Sequence, residues 1–182
     1  MKAPAIPSLY LKLSLAAVAI AALASPAGGD PAPQPQATLQ PAAQGTFNVD
    51  WDGVTGRTYF MQFSTDLADW HYAPFIDFGD GTHRRGIHSD ADKFFLRFHY
   101  GDFPGINSLD DAMHADFDGD GLSNIFEVTL GYDPFVIEST LDGPDAGLDP
   151  DGDGLDHASE QALGTDPMVQ DNPLLQLKVI ID

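Results

Sequence analysis

Asp116, Asp118 and Asp120 stand at alternate positions and are followed by Gly121 and Glu127. Numbered as a twelve-residue loop, the acids fall at positions 1, 3, 5 and 12 and the glycine at 6. The same set returns 33 residues later as Asp149, Asp151, Asp153, Gly154 and Glu160. Alternate carboxylates on a tightly wound loop converge on one centre, which suits a hard divalent cation that takes about 6–8 oxygen ligands. The glycine permits the sharp turn, the backbone carbonyl at position 7 (Leu122, Leu155) adds a ligand, and Glu127 or Glu160 can close the site bidentately. Three or four carboxylates facing one another without a cation would repel strongly. The spacing therefore predicts two calcium sites, with calcium favoured over magnesium because nearly all ligands are protein oxygens.

The repetition extends beyond the acids. Residues 116–136 and 149–169 are identical at 12 of 21 positions, including glycines, leucines and prolines that acidic composition does not explain. Each loop runs into a short helical stretch (122–130, 155–163), stopped by Gly131 or Gly164 and then by Asp-Pro. Leu122, Phe126 and Leu130 would line one side of the first helix, and Leu155, Ser159 and Leu163 one side of the second. Such helices are marginal alone, so ion binding and packing between them must hold this half together. A Ser-x-x-Asp cap predicts an incoming helix over 108–115, whereas residues 142–147 before the second loop read as non-helical.

Charge follows the same division. Of 182 residues, 28 are acidic and 8 are Lys or Arg, a formal net charge of −20. Residues 102–171 hold 18 of the acids and no Lys or Arg, whereas 45–101 hold eight acids and five bases. This balance excludes polyanionic partners, both nucleic acid and anionic membrane surface. The lack of cysteine excludes disulfides, thiolate metal sites and a cysteine nucleophile. Some acids, among them Asp142, Asp145 and Asp156, have no partner assigned by the pattern.

The order Asp-x-Asp-x-Asp-Gly-Leu-x-x-x-x-Glu-x-x-x-Gly-x-Asp-Pro resembles the bacterial thrombospondin type-3 repeat, and both copies match it through the final Asp-Pro. That resemblance implies a calcium-binding structural module. The copies depart from it in the long 33-residue period and in His157 at position 9, where a water can replace the side-chain ligand. EF-hands share the loop but want an apolar residue at position 8, here Ser123 and Asp156. Dockerins also carry two loops, but usually close with Asp and continue in a longer basic helix.

The elements before the loops are of another kind. Residues 1–24 read as an export signal, with Lys2 and Lys12, an apolar run over 13–24 and a small-x-small site at Ala22–Ala24. The run is shorter than the roughly 20 residues that span a bilayer. Residues 25–44, with five prolines, read as a semi-rigid Pro/Ala-rich linker. Across 45–101, period-two alternation in 47–51, in Tyr59, Met61 and Phe63, and in Phe94, Leu96, Phe98 and Tyr100 predicts four or five strands. Turns at Asp52-Gly53, Thr55-Gly56 and Gly79-Asp80-Gly81-Thr82 would separate them. The fold class expected is thus a mainly β module, a small antiparallel sandwich or sheet, followed over 102–172 by two calcium loop–short helix repeats. Residues 173–182 read as an apolar C-terminal strand.

Gly56-Arg57-Thr58-Tyr59, then Ser64-Thr65-Asp66-Leu67 and Trp70, resemble a compact β module of secreted multidomain bacterial proteins, which implies accessory architecture and no reaction. His71, His83, His88 and His99 have no metal-ligand spacing, with His83 and His88 in a turn-rich stretch, and no Gly-x-Ser-x-Gly elbow is present. The histidines are assigned to surface or packing. The expectation is a secreted, non-enzymatic calcium-binding protein acting as a calcium-stiffened spacer or a surface or adhesion component, whose partner would be a protein or a cell-surface component. The alternatives are a dockerin-like or EF-hand-like docking module and, third, an appendage of a secreted hydrolase.

Overall fold

The computed structural model describes residues 37–42, 46–89, 91 and 93–170. The export signal and the C-terminal strand expected from sequence lie outside these residues. Two three-stranded antiparallel sheets face each other. One has the order β1–β2–β5, from Ala37–Pro41, Thr46–Asp52 and Thr82–His88. The other has the order β4–β3–β6, from His71–Phe78, Thr58–Ser64 and Phe95–Gly101. Helices follow at Leu109–His114 (α1), Asn124–Leu130 (α2) and His157–Leu163 (α3), with a single 3-10 turn at Asp145–Gly147. The expected class, a β module followed by two loop–helix repeats, is the one observed.

Two strand boundaries differ from expectation. Ala37–Pro41 pairs with β2, Ala37 opposite Trp51, so the end of the expected linker is an edge strand. The prolines cluster before it, and Pro41 falls at its last position, where a missing donor costs little. His83 and His88 both lie on β5 rather than in a turn, because β5 pairs along its whole length with β2. Its residues alternate between exposed and half-buried, which suits an edge strand. The turn at 79–81 is real and carries the chain from one sheet to the other. A Cβ on Gly79 would meet the Val54 carbonyl oxygen at 1.9 Å, so only glycine fits that crossing.

The inner core obeys the alternation. Val49 and Trp51 meet Tyr59, Met61, Ala73, Leu96, Phe98 and Tyr100 between the sheets. On the outer face of β2 and β5, Arg84 clasps Asp50 through two bonds of 2.5 and 2.8 Å. Strand β3, however, is buried on both faces, which period-two reasoning reserves for a strand covered from both sides. The second cover is the first repeat. Phe60, Tyr72, Ile76 and Phe78 form a core with Ala112 and Val128, flanked by Ile106, Met113, Phe117, Ile125 and Phe135. The molecule is therefore three layers deep at β3: sheet, sheet and first repeat.

The motif residues of the β module have structural work. Arg57 is buried, reaches Asp102 through two 2.7 Å bonds and lies over the Tyr100 ring. The Ser64 hydroxyl accepts from the backbone N–H of Asp66 and Leu67, and Asp66 accepts from those of Ala68 and Asp69. That turn holds Leu67 at a φ of 69° and delivers Trp70 beneath the Arg97 guanidinium. The histidines take part in packing as well: His83 stacks on Trp51, and His99 bonds Tyr72.

Candidate metal centre

Each loop is wound by its own aspartates, and the two windings are the same. Asp116 accepts from the N–H groups of Gly119 (2.7 Å) and Gly121 (2.9 Å), Asp118 from that of Asp120 (3.0 Å), and Asp120 from that of Leu122 (2.8 Å). In the second loop Asp149 accepts from Gly152 and Gly154, Asp151 from Asp153, and Asp153 from Leu155, at 2.8–3.1 Å. All these bonds span five residues or fewer, so the winding is written in the local sequence. Gly121 and Gly154 carry φ values of 103° and 91°, the left-handed region that side chains disfavour.

The winding brings the acids together. Oxygens of Asp116, Asp118 and Asp120 lie within 4.8 Å of one another, as do those of Asp149, Asp151 and Asp153. Glu127 and Glu160, at position 12, lie on the first turns of α2 and α3 and are fully buried. Glu127 forms a third close group with Asp120 and with Asp145, an acid the loop pattern left without a partner. Asp145 escapes the pattern because it belongs to no loop position; only the fold carries it there. Leu122 and Leu155, whose carbonyls are the expected position-7 ligands, have buried side chains that anchor the loops.

These groups fit a cation. Two oxygens on one calcium ion are at most about 5 Å apart, given metal–oxygen distances of roughly 2.3–2.6 Å. Asp118 Oδ2, Asp120 Oδ2, Asp151 Oδ2 and both Glu127 oxygens are buried with no hydrogen-bond donor. Like charges about 5 Å apart cost on the order of 3 kcal/mol per pair at an effective dielectric near 20. Without a cation the cluster must hold protons instead: burial, then the neighbouring Asp118, Asp120, Asp116 and Asp145, push Glu127 up to about 9. Burial likewise pushes Asp118 up to about 6. Asp151 is also raised, chiefly by burial.

The flanking structure explains the rest of the repeat. Position 8 is polar because it caps the helix: Asp156 accepts from Ser159 N–H at 2.8 Å at the start of α3. Ser123, its counterpart before α2, is held instead by Gln161 of α3, which accepts from its N–H and hydroxyl, both at 2.8 Å. Gln161 also donates to the Gly121 carbonyl at 3.1 Å, so the second repeat clamps the first loop. The helices end at Gly131 and Gly164 in left-handed conformation, as the sequence predicts. The incoming helix α1 is capped by Ser108, which accepts from Asp111 N–H. Before the second loop stands only the 3-10 turn.

The first repeat docks on the β module and its sequence shows why. Phe60 contacts the rings of Phe117 and Phe135, and Phe117 stacks on Phe103 at 3.7 Å. The Tyr72 hydroxyl donates to Asp133 of the first Asp-Pro at 2.8 Å. The second repeat has Pro150 and Met168 in place of those aromatics, and Met168 is exposed.

Residues 116–136 and 149–170 match the family model of the bacterial TSP3 repeat. Neither the comparison with curated proteins nor that with solved structures found a match. The two matched segments are the two loops of one geometry, each continuing through a short helix to Gly-x-Asp-Pro behind the β module, so this part of the chain is a pair of bacterial TSP3 repeats.

Proposed function

We propose that this chain is an exported calcium-binding structural protein. Asp116, Asp118, Asp120, the Leu122 carbonyl and Glu127 hold one ion; Asp149, Asp151, Asp153, the Leu155 carbonyl and Glu160 hold a second. The observation that carries the reading is the buried, donor-free oxygen on Asp118, Asp120, Asp151 and Glu127. Export rests on the signal pattern of residues 1–24. Among the described residues no helix is long and apolar enough to cross a membrane.

The role is that of a calcium-stiffened spacer or surface component, without catalysis. The first repeat is already packed on the β module, so ion binding locks the second repeat onto that platform rather than stiffening a free rod. Two histidines of the β module, His83 and His99, are engaged in packing contacts, which supports a structural role for them. Calorimetric titration of calcium into the full chain tests the sites. Two ions are expected to bind, Asp116→Ala and Asp149→Ala each removing one. A titration without heat and without change in circular dichroism would exclude the reading.

A further inference from the structure

Neither position-9 residue joins the close acidic group of its own loop, and each is tied elsewhere by its side chain. Asn124 donates from Nδ2 to the Ala112 carbonyl at 2.8 Å and accepts on Oδ1 from Phe117 N–H. His157 lies 2.8 Å through Nδ1 from the Asp145 carbonyl, and a carbonyl only accepts, so Nδ1 carries the proton. The backbones agree: Asn124 N–H reaches the Ala115 carbonyl at 2.8 Å, and His157 N–H reaches that of Leu148 at 2.9 Å. Asp145 thus occupies in the second repeat the place that Ala112 occupies in the first, one step of 33 residues away. The next step reaches Lys178, so the acid has no further copy in the chain.

The side chain of Asp145 faces backward, into the first centre. Asp145 is fully buried, and one of its oxygens lies within 4.8 Å of oxygens on Asp120 and Glu127. Ser139 N–H donates to both oxygens at 3.0 and 3.1 Å, which aims the carboxylate while leaving each oxygen lone pairs to give. Facing it is Glu127, fully buried and with neither oxygen bonded. Two buried acids whose oxygens approach this closely call for a cation between them.

We propose that Asp145 is a ligand of the cation held by the first loop, filling the coordination position that Asn124 leaves vacant. This rests on the calcium reading above. The two centres are then unequal. The first has five carboxylates and ties the inter-repeat segment to its ion. The second has four, and water takes the remaining position. One residue joins them, since the Asp145 side chain serves the first loop while its carbonyl holds His157 at the start of α3.

Calcium titration of the full chain and of Asp145→Asn provides the test, with Asp151→Ala identifying the second site. Asp145→Asn is expected to weaken one of the two sites by about 10-fold or more, because affinity follows ligand charge, and to leave the site lost in Asp151→Ala unchanged. As a readout that needs no substitution at 145, the carboxyl 13C resonance of Asp145 in the otherwise unaltered chain should shift with first-site occupancy. That shift should survive Asp151→Ala and vanish in Asp118→Ala. Two sites of unchanged affinity in Asp145→Asn, or an Asp145 resonance that ignores calcium, would overturn this inference alone. A flat titration of the unaltered chain would overturn the calcium reading with it.

Discussion

Stripped of divalent ions, the chain is expected to become less stable as the pH rises from 5 to 8. An unfolded glutamate titrates near 4.5, whereas buried Glu127 is pushed up to about 9. Between those values the folded chain keeps a proton that the unfolded chain releases, so raising the pH favours unfolding. This contribution is fully present below about 4.5 and lost above about 9. Asp118, raised to about 6, adds to the same slope in the lower part of the window. The acids held low by partners, such as Asp102 beside Arg57, are already ionised at pH 5 in both states and leave the slope unchanged. Calcium should reverse the trend, since it takes the deprotonated ligands and its hold tightens as protons leave. An ion at 100 times its dissociation constant adds about 2.7 kcal/mol, and each kcal/mol is worth about 2–4 °C in a chain of this length.

Thermal melts at pH 5 and pH 8, with and without calcium, measure both halves of that statement. Glu127→Gln separates them further. The amide is neutral without taking up a proton on folding, so the metal-free variant should melt higher than the parent at pH 8 and gain less from calcium. Buried His99, lowered chiefly by burial, works in the opposite sense, so the decisive comparison is with Glu127→Gln: a metal-free pH dependence equal in parent and variant would exclude this account of the cluster.

Phe60→Ala is expected to cost about 3–5 kcal/mol, the range for truncating a buried phenylalanine. Phe60 is fully buried and is the β3 residue on which Phe117 and Phe135 of the first repeat close. Its loss should therefore also reach the first metal loop, because Phe117 is position 2 of that loop. Calcium affinity should fall at the first site and hold at the second, whose position 2 is Pro150. Phe63→Ala is the control: Phe63 is only partly buried at the rim of the inter-sheet core, against Phe94 and His71. Urea unfolding of the two variants would decide the matter, and a loss below about 1 kcal/mol for Phe60→Ala would show that the first repeat does not depend on the sheet.

The acidic loops were legible in the amino-acid sequence because everything that shapes them is near in the chain. Asp116 bonds N–H groups three and five residues on, the glycines supply the turn, and the second loop repeats the first bond for bond. The inter-sheet core was legible for a similar reason, since alternation in β2, β3 and β6 is a local property. Strand β5 was not, because Thr82–His88 contains two arginines, two histidines and a glycine and owes its conformation to pairing with β2. The strand at Ala37–Pro41 was hidden by the prolines around it.

By itself, then, the sequence determined two acidic loops, their helices and stops, and a β module ahead of them. Tertiary structure decided what those parts do to one another. It covered the outer face of β3 with Phe117 and Phe135, made Gln161 of α3 a clamp on the first loop, and bonded Asn124 to the Ala112 carbonyl and His157 to that of Asp145. It also carried Asp145, 25 positions beyond Asp120, to within 4.8 Å of it. Ligand spacing is set by backbone geometry over a dozen residues and can be read along the chain. The meeting of Asp145 with Glu127 depends on how the inter-repeat segment folds back, and no local pattern encodes that return.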